Sequence, residues 1–155
     1  MFNRILCPTD LSKASLTSIA KGVELALLCD AELILLNVRP EFMSKEAMVM
    51  SRVSTYGIHQ HEKDIALAAK EIMSEELRRV GGGELKHQLI LREGEPHEEI
   101  LATAEDLKCD LIIITTSGRN HLIEHIKGSD AEQMLSRTHV PMLILPVTEA
   151  EKKSE

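Results

Sequence analysis

Between Thr115 and Ala131 the chain gathers the residue types that hold a phosphate. Thr115, Thr116, Ser117 and Gly118 follow an unalternating apolar run, Leu111-Ile112-Ile113-Ile114, of the kind that makes a parallel strand covered on both faces. Hydroxyls and glycine backbone therefore sit at the carboxyl end of a strand, where open α/β sheets place their ligands. Gly128 and Ser129 come next, followed by Ala131, Met134, Leu135 and Thr138 at helical spacing. Ser129 is a good N-cap, and the helix behind it would aim unpaired N–H groups at the same loop. The same residues also serve as the turns of an ordinary βα unit, so the rest of the chain has to decide between an anion cradle and plain geometry.

Other constellations are weaker. The Walker loop needs a lysine between glycine and Ser/Thr, and Gly128-Ser129 has none; Gly-x-Gly-x-x-Gly follows no strand. His121-Leu122-Ile123-Glu124-His125 has the spacing of a zinc-protease helix. A third protein ligand with an open position is not evident downstream, so coincidence is the expected explanation. A metal hydrolase on His121 and His125 ranks last among the functions. His59 and His61 beside Glu62 are expected in a solvated loop rather than as a ligand pair. No Ser-His-Asp or Cys-His order emerges, and no catalytic residue is assigned.

The elements that must position these residues follow in chain order. Arg4 to Cys7 is a short apolar strand stopped by Pro8, and Thr9-Asp10-Leu11-Ser12 turns into a helix with Ser12 as cap. Leu16, Ile19, Ala20, Val23 and Leu27 repeat as one buried helical face, and Gly22 within it implies close approach to the sheet. Glu32 to Val38 is a second strand. Phe42 to Gln60, with Met43, Met48 and Met50, has no sustained period and is expected to be a partly helical loop. Ile65, Ala68, Ala69, Ile72, Met73 and Leu77 restore helical spacing, which Gly81-Gly82-Gly83 ends. His87 to Arg92 is a third strand, Gly94-Glu95-Pro96 turns it, and Ile100, Leu101, Ala104 and Leu107 mark the next helix. Val140 to Pro146 is a final strand, long, apolar and at an edge.

Strands alternating with helices call for a mostly parallel, doubly wound sheet between helical layers. A reversal of winding between the first strand and the Asp110 strand would set Pro8-Thr9-Asp10 and Thr115 to Gly118 on either side of one crevice.

Composition narrows the partners. The 155 residues suit one domain, residues 1–148, with 149–155 as a charged, disordered tail. A formal charge of −7 disfavours nucleic acid and anionic membranes, which reward a basic face. Aromatics make up 2% and tryptophan is absent, so a bound adenine must be gripped by aliphatic side chains and hydrogen bonds. Cys7, Cys29 and Cys109 form no Cys-x-x-Cys pair and are expected to be reduced, consistent with a cytoplasmic location. No apolar run reaches membrane-spanning length.

Taken together, Pro8-Thr9-Asp10, Gly94-Glu95-Pro96 and the Gly118 to Ser129 spacing resemble the universal stress protein family over nearly the whole chain. Its ATP-binding members carry Gly-x2-Gly-x9-Gly-Ser/Thr. Gly118, the nine residues Arg119 to Lys127, and Gly128-Ser129 match the last two parts, whereas Thr115 stands where the first glycine falls. The resemblance implies a Rossmann-like sheet of order 3-2-1-4-5. It implies that Asp10 accepts from the adenine amino group, that Val38 offers backbone contacts to the base, and that Pro8, Thr9 and Ile114 line the pocket. Gly118, Gly128, Ser129, Asp130 and Ala131 would hold ribose and phosphates, and Thr115 would add a hydroxyl. If the family glycine needs positive φ, a β-branched Thr115 would instead store roughly 1–3 kcal/mol of strain. Asp130 in the first turn of the helix would call for Mg²⁺ between it and a triphosphate.

The resemblance further implies a homodimer through Met142, Leu143, Ile144 and Leu145. The expected function is a stress-response dimer that binds ATP with little or no hydrolysis, since no general base can be named. The alternative is a family member without nucleotide that acts as a dimeric interaction module, with residues 43–56 as its contact surface.

Overall fold

The apolar runs become five parallel strands. The structure is a computed structural model that describes residues 1–40, 55–115 and 135–146. The strands are β1 (Arg4–Pro8), β2 (Glu32–Arg39), β3 (His87–Glu93), β4 (Leu111–Thr115) and β5 (Met142–Leu145); the helices are α1 (Ser15–Cys29), α2 (Thr55–Arg79) and α3 (Pro96–Asp106). The sheet order is β3-β2-β1-β4-β5, and every pairing is parallel. Winding therefore runs outward from β1 to β3 and then returns to lay β4 against the other side of β1. The reversal falls between β1 and β4, as the chain order predicts.

Strand alternation divides the core in two. Ile5, Cys7, Leu33, Leu35 and Ile113 face α1 and α2, where they meet Ile19, Val23, Ala26, Met73 and Leu77. Leu6, Ile34, Leu36, Val38, Ile112 and Ile114 face α3, against Ile100 and Ala104. Burying one such side chain contributes about 2 kcal/mol, so the two faces together are the main adhesive of the domain. Gly22 is where α1 touches the sheet: a Cβ there would lie 2.6 Å from Cys7 Sγ and 3.0 Å from Leu33 Cδ1.

Several expectations need correction. The buried face of α1 is Ser15, Ser18, Ile19, Gly22, Val23 and Ala26, whereas Leu27 is 63% exposed and Ala20 faces solvent. Small residues rather than large ones allow that helix to lie close, which turns its face away from Leu27. Ser12 does not cap α1. The helix begins after a tight turn of i→i+3 bonds, Ser15 to Ser12 and Leu16 to Lys13, and no side chain caps it; the Asp10 carboxylate holds the turn by accepting from the Ser12 N–H and the Ser15 hydroxyl. His59 and His61 lie on the exposed face of α2, not in a loop. There the ring of His59 sits 3.5 Å from the Glu62 carboxylate, and no cluster able to hold a metal exists among the described residues.

Other turns follow the expected chemistry. Gly94 has φ +144° and its N–H donates to Arg39 O at 2.9 Å, tying the end of β3 to β2. The Glu95 carboxylate then caps α3 by accepting from the Glu98 N–H at 3.0 Å, with Pro96 as the first helical residue. The three cysteines are unpaired; burial pushes the thiols of Cys7 and Cys109 up, that of Cys109 to about 11. β5 forms one edge of the sheet, with Ile144 42% exposed. No helix among the described residues is long and apolar enough to cross a membrane. Residues 43–54, His121, His125 and the 149–155 tail lie outside the described residues.

Candidate functional site

Because the strands are parallel, Pro8, Arg39, Glu93, Thr115 and Leu145 all close the same end of the sheet. Of the residues assigned to a nucleotide site, Pro8, Thr9 and Asp10 come together at the end of β1, Val38 near the end of β2, and Ile114 and Thr115 at the end of β4. Val38 and Ile114 are 8% and 3% exposed and belong to the α3-facing core. They form an apolar floor on either side of β1. Gly118, Gly128, Ser129, Asp130 and Ala131 lie outside the described residues.

Thr115 is an ordinary strand residue. It pairs with Leu145, and the non-glycine residues with positive φ are Leu11, Asp30 and Lys108 among those described. The strain anticipated at this departure from the family glycine is therefore not present, and Thr115 ends β4 without a backbone penalty.

Strain sits instead in the turn after β1. Leu11 has φ +64°, a conformation that costs a large side chain on the order of 1 kcal/mol or more. A network holds it there. Thr9 is 1% exposed; its N–H donates to Leu36 O at 2.8 Å and its carbonyl accepts from Asn37 Nδ2 at 3.0 Å. Its hydroxyl accepts from the Leu11 N–H at 3.0 Å and donates to Glu76 Oε2 on α2 at 3.3 Å. The hydroxyl of Thr9 thus points toward α2, away from the face that Val38 and Ile114 line.

Asp10 crowns the turn half-buried. Its Oδ1 accepts from the Ser15 hydroxyl at 2.7 Å and from the Ser12 N–H at 3.0 Å, while its own N–H donates to Ser15 Oγ at 3.2 Å. These bonds tie the carboxylate to the start of α1, just beyond the carboxyl end of β1. A carboxylate held in one orientation at a strand end can accept from a ligand's N–H donor. Behind the turn, Ser12 Oγ and Asn37 Oδ1 are buried without hydrogen-bond partners among the described residues, and a cavity of about 180 Å³ opens between Leu11, Ser12 and Leu16 on one side and Glu76 and Arg79 on the other.

Glu76 is the residue that pattern reading missed. It is 6% exposed; burial pushes its carboxyl up to about 7, with the nearby Asp10 adding to the rise and the Thr9 hydroxyl and Arg79 opposing it. A signal for it existed: Glu76 follows Met73 by one helical turn and precedes Leu77, so it falls on the apolar stripe of α2. Ser15 and Asn37 gave no such signal, because their partners are far apart in sequence or separated by an irregular turn.

Residues 1–146 match the model of the universal stress protein family. The chain is 29% identical over 157 aligned residues to the universal stress protein MJ0577 of Methanocaldococcus jannaschii, covering 94% of this chain and 95% of that protein. The solved structure of MJ0577 superposes with a TM-score of 0.72 at 27% identity, over 96% of this chain and 99% of the other. Two more distant structures share the fold: a universal stress protein in complex with cAMP (TM-score 0.61, 16% identity, 93% and 96% covered), and one from Arabidopsis thaliana with AMP bound (TM-score 0.58, 14% identity, 96% and 94% covered). With the family pattern running from β1 through β5 on the sheet order this family's relatives share, the chain belongs to the universal stress protein family.

Proposed function

We propose that the protein binds an adenine nucleotide, ATP with Mg²⁺, in the crevice between the ends of β1 and β4, and that it acts as a regulatory or sensing homodimer in a stress response rather than as an enzyme. The observation that carries this reading is the position of Asp10: a carboxylate held by Ser12 and Ser15 just after β1, the strand at which the winding of the sheet reverses. The AMP and cAMP held by related folds support an adenine ring as occupant. Aliphatic Val38 and Ile114 would take the faces of such a ring, and the Asp10 carboxylate would take its amino group. Asp10 and the backbone of Val38 would orient the base, with Pro8 and Thr9 shaping the turn against it. Thr115, Gly118, Gly128, Ser129, Asp130 and Ala131 would hold ribose and phosphates, with Mg²⁺ supplying charge neutralisation between Asp130 and the phosphates. None of the described residues is placed as a general base, so turnover is expected to be absent or slow.

The dimer is proposed through β5, whose Met142, Leu143, Ile144 and Leu145 form an apolar edge of the sheet among the described residues. Isothermal titration with ATP, with and without Mg²⁺, tests the nucleotide; saturable heat supports it, and its absence at millimolar ATP defeats it. Mass spectrometry of molecules released from denatured protein separates ATP from AMP or ADP. Sedimentation at micromolar concentration tests the dimer, and a monomer there counts against it.

A further inference from the structure

Glu76 is not part of the crevice, yet it touches the turn that shapes it. We infer that Glu76 is a positioning residue for the Thr9–Asp10–Leu11 turn, and that the proton on its carboxyl sets how well this turn accepts an adenine nucleotide. The inference rests on the nucleotide reading above and adds a regulator to that same site.

The geometry is a relay. The Thr9 hydroxyl has one proton, and because its oxygen already accepts from the Leu11 N–H at 3.0 Å, that proton is directed to Glu76 Oε2 at 3.3 Å. Leu11 is held in its left-handed conformation by that bond, and Leu11 follows Asp10 directly. Whatever Glu76 does to the Thr9 hydroxyl is therefore passed to the residue beside the carboxylate that would read the base. The charged groups facing Glu76 are Asp10 from the turn, Lys13 from the approach to α1, and Glu75 and Arg79 on its own helix. Glu75 is paired with Arg78 at 2.8 Å. The cavity of about 180 Å³ beside Glu76 and Ser12 gives water a route to the carboxyl, so it can exchange its proton without the helix leaving the sheet.

Neutral Glu76 accepts from Thr9 at no electrostatic cost to its surroundings. Ionised Glu76 puts a second negative charge next to Asp10 in a buried setting, and it draws the Thr9 hydroxyl more strongly than the neutral acid does. The added charge opposes an anionic ligand, and the tightened bond alters the turn that would receive it. With the carboxyl pushed up to about 7, the change falls in the neutral range.

The test measures ATP affinity from pH 6 to pH 8 for the wild type and for Glu76→Gln, an isosteric neutral mimic of the protonated acid. The phosphates of ATP titrate identically in both series, so the ratio of the two dissociation constants is the readout. Across that range the wild type should weaken about fivefold relative to Glu76→Gln, the size of effect that one added charge at several ångströms produces. In ligand-free protein, the backbone amide of Leu11 should titrate near neutral pH by NMR, and should stop doing so in Glu76→Gln and in Thr9→Val, which cuts the relay while keeping the shape. A constant affinity ratio, or a Leu11 amide that ignores pH or titrates equally in Glu76→Gln, overturns the inference. If the wild type binds no ATP at any pH, the nucleotide reading falls and the affinity coupling falls with it; the amide titration then separately upholds or overturns the part played by Glu76 in the turn.

Discussion

The two ends of the sheet are built by opposite rules. At the amino end, charges are matched and polar groups are satisfied. Glu32 meets Arg4 Nε at 3.2 Å, Gln88 Nε2 at 3.0 Å and Lys86 Nζ at 3.8 Å, and Arg4 also donates to Leu107 O at 2.7 Å. The carboxylate of Asp110 accepts from the N–H groups of Asn3 and Arg4 and from the Asn3 side chain, fastening β1 to the start of β4. At the carboxyl end, Leu11 is left-handed, Ser12 Oγ and Asn37 Oδ1 are unpaired in the interior, and a carboxyl is buried against a hydroxyl. One end spends its residues on closure, and the other keeps strain and unsatisfied groups where a ligand would enter. Such a division is expected when function occupies one face of a fold and stability the other.

The pKa shifts report the same contrast. The hydrogen bond from Gln88, with Lys86 and Arg4 nearby, holds Glu32 below the usual carboxylate range. Asp110 is also lowered: burial pushes it up, but the bonds from Arg4 and Asn3 outweigh that. Glu76 is raised. The amino-end pair therefore stabilises the fold above the ordinary carboxylate pKa and loses that contribution as pH falls through the lowered folded values. The sign for Glu76 is the reverse, because the unfolded chain releases its proton first and stability declines as pH rises from about 4.5 to about 7.

The largest effect that would break the comparison is at the latch. Asp110→Ala should cost about 2–3 kcal/mol at neutral pH, since it strands several donors. It should leave ATP affinity within about twofold of wild type, because it lies at the far end of the sheet; denaturant melts and titrations check both halves. Next is Glu76→Gln, which should remove the decline in stability between pH 4.5 and 7, on the order of 2 kcal/mol, with no change in the acid limb below pH 4. Thermal unfolding at a series of pH values measures it, and an unchanged neutral slope would count against a buried, protonated Glu76. The smallest is Ser12→Ala, which deletes a buried hydroxyl that has no partner. It should be neutral or stabilising by up to about 1 kcal/mol, whereas a clear loss would show the hydroxyl to be engaged.

Much of the architecture was legible in the chain because strands buried on both faces write continuous apolar runs. Ile112 to Ile114 and Leu33 to Leu36 are such runs, and they delivered the sheet and the position of the switch point. The face of α1 was misjudged because Ser15, Ser18 and Gly22 bury by being small, and hydropathy does not score smallness. The start of α2 was hidden by a polar first half that carries no apolar period. Asp10, Val38 and Ile114 fall at or just past the strand ends that the apolar runs imply. The Thr9–Glu76 contact spans elements distant in sequence, and only the packing of α2 against β3 and α1 brings it about. Thr115 looked anomalous from its residue type, yet its backbone is that of a strand, so type alone misrepresented the constraint.

Asp10 is the residue on which the proposed adenine-nucleotide site at this end of the sheet depends. Calorimetric titration of ATP into wild type and Asp10→Ala, with unfolding curves run alongside, tests it most directly. The account predicts saturable binding by the wild type and at least a tenfold loss in Asp10→Ala, with a stability cost of only about 1 kcal/mol from the freed Ser12 and Ser15 donors. Equal affinities in two folded proteins, or no heat from either at millimolar ATP, would contradict it.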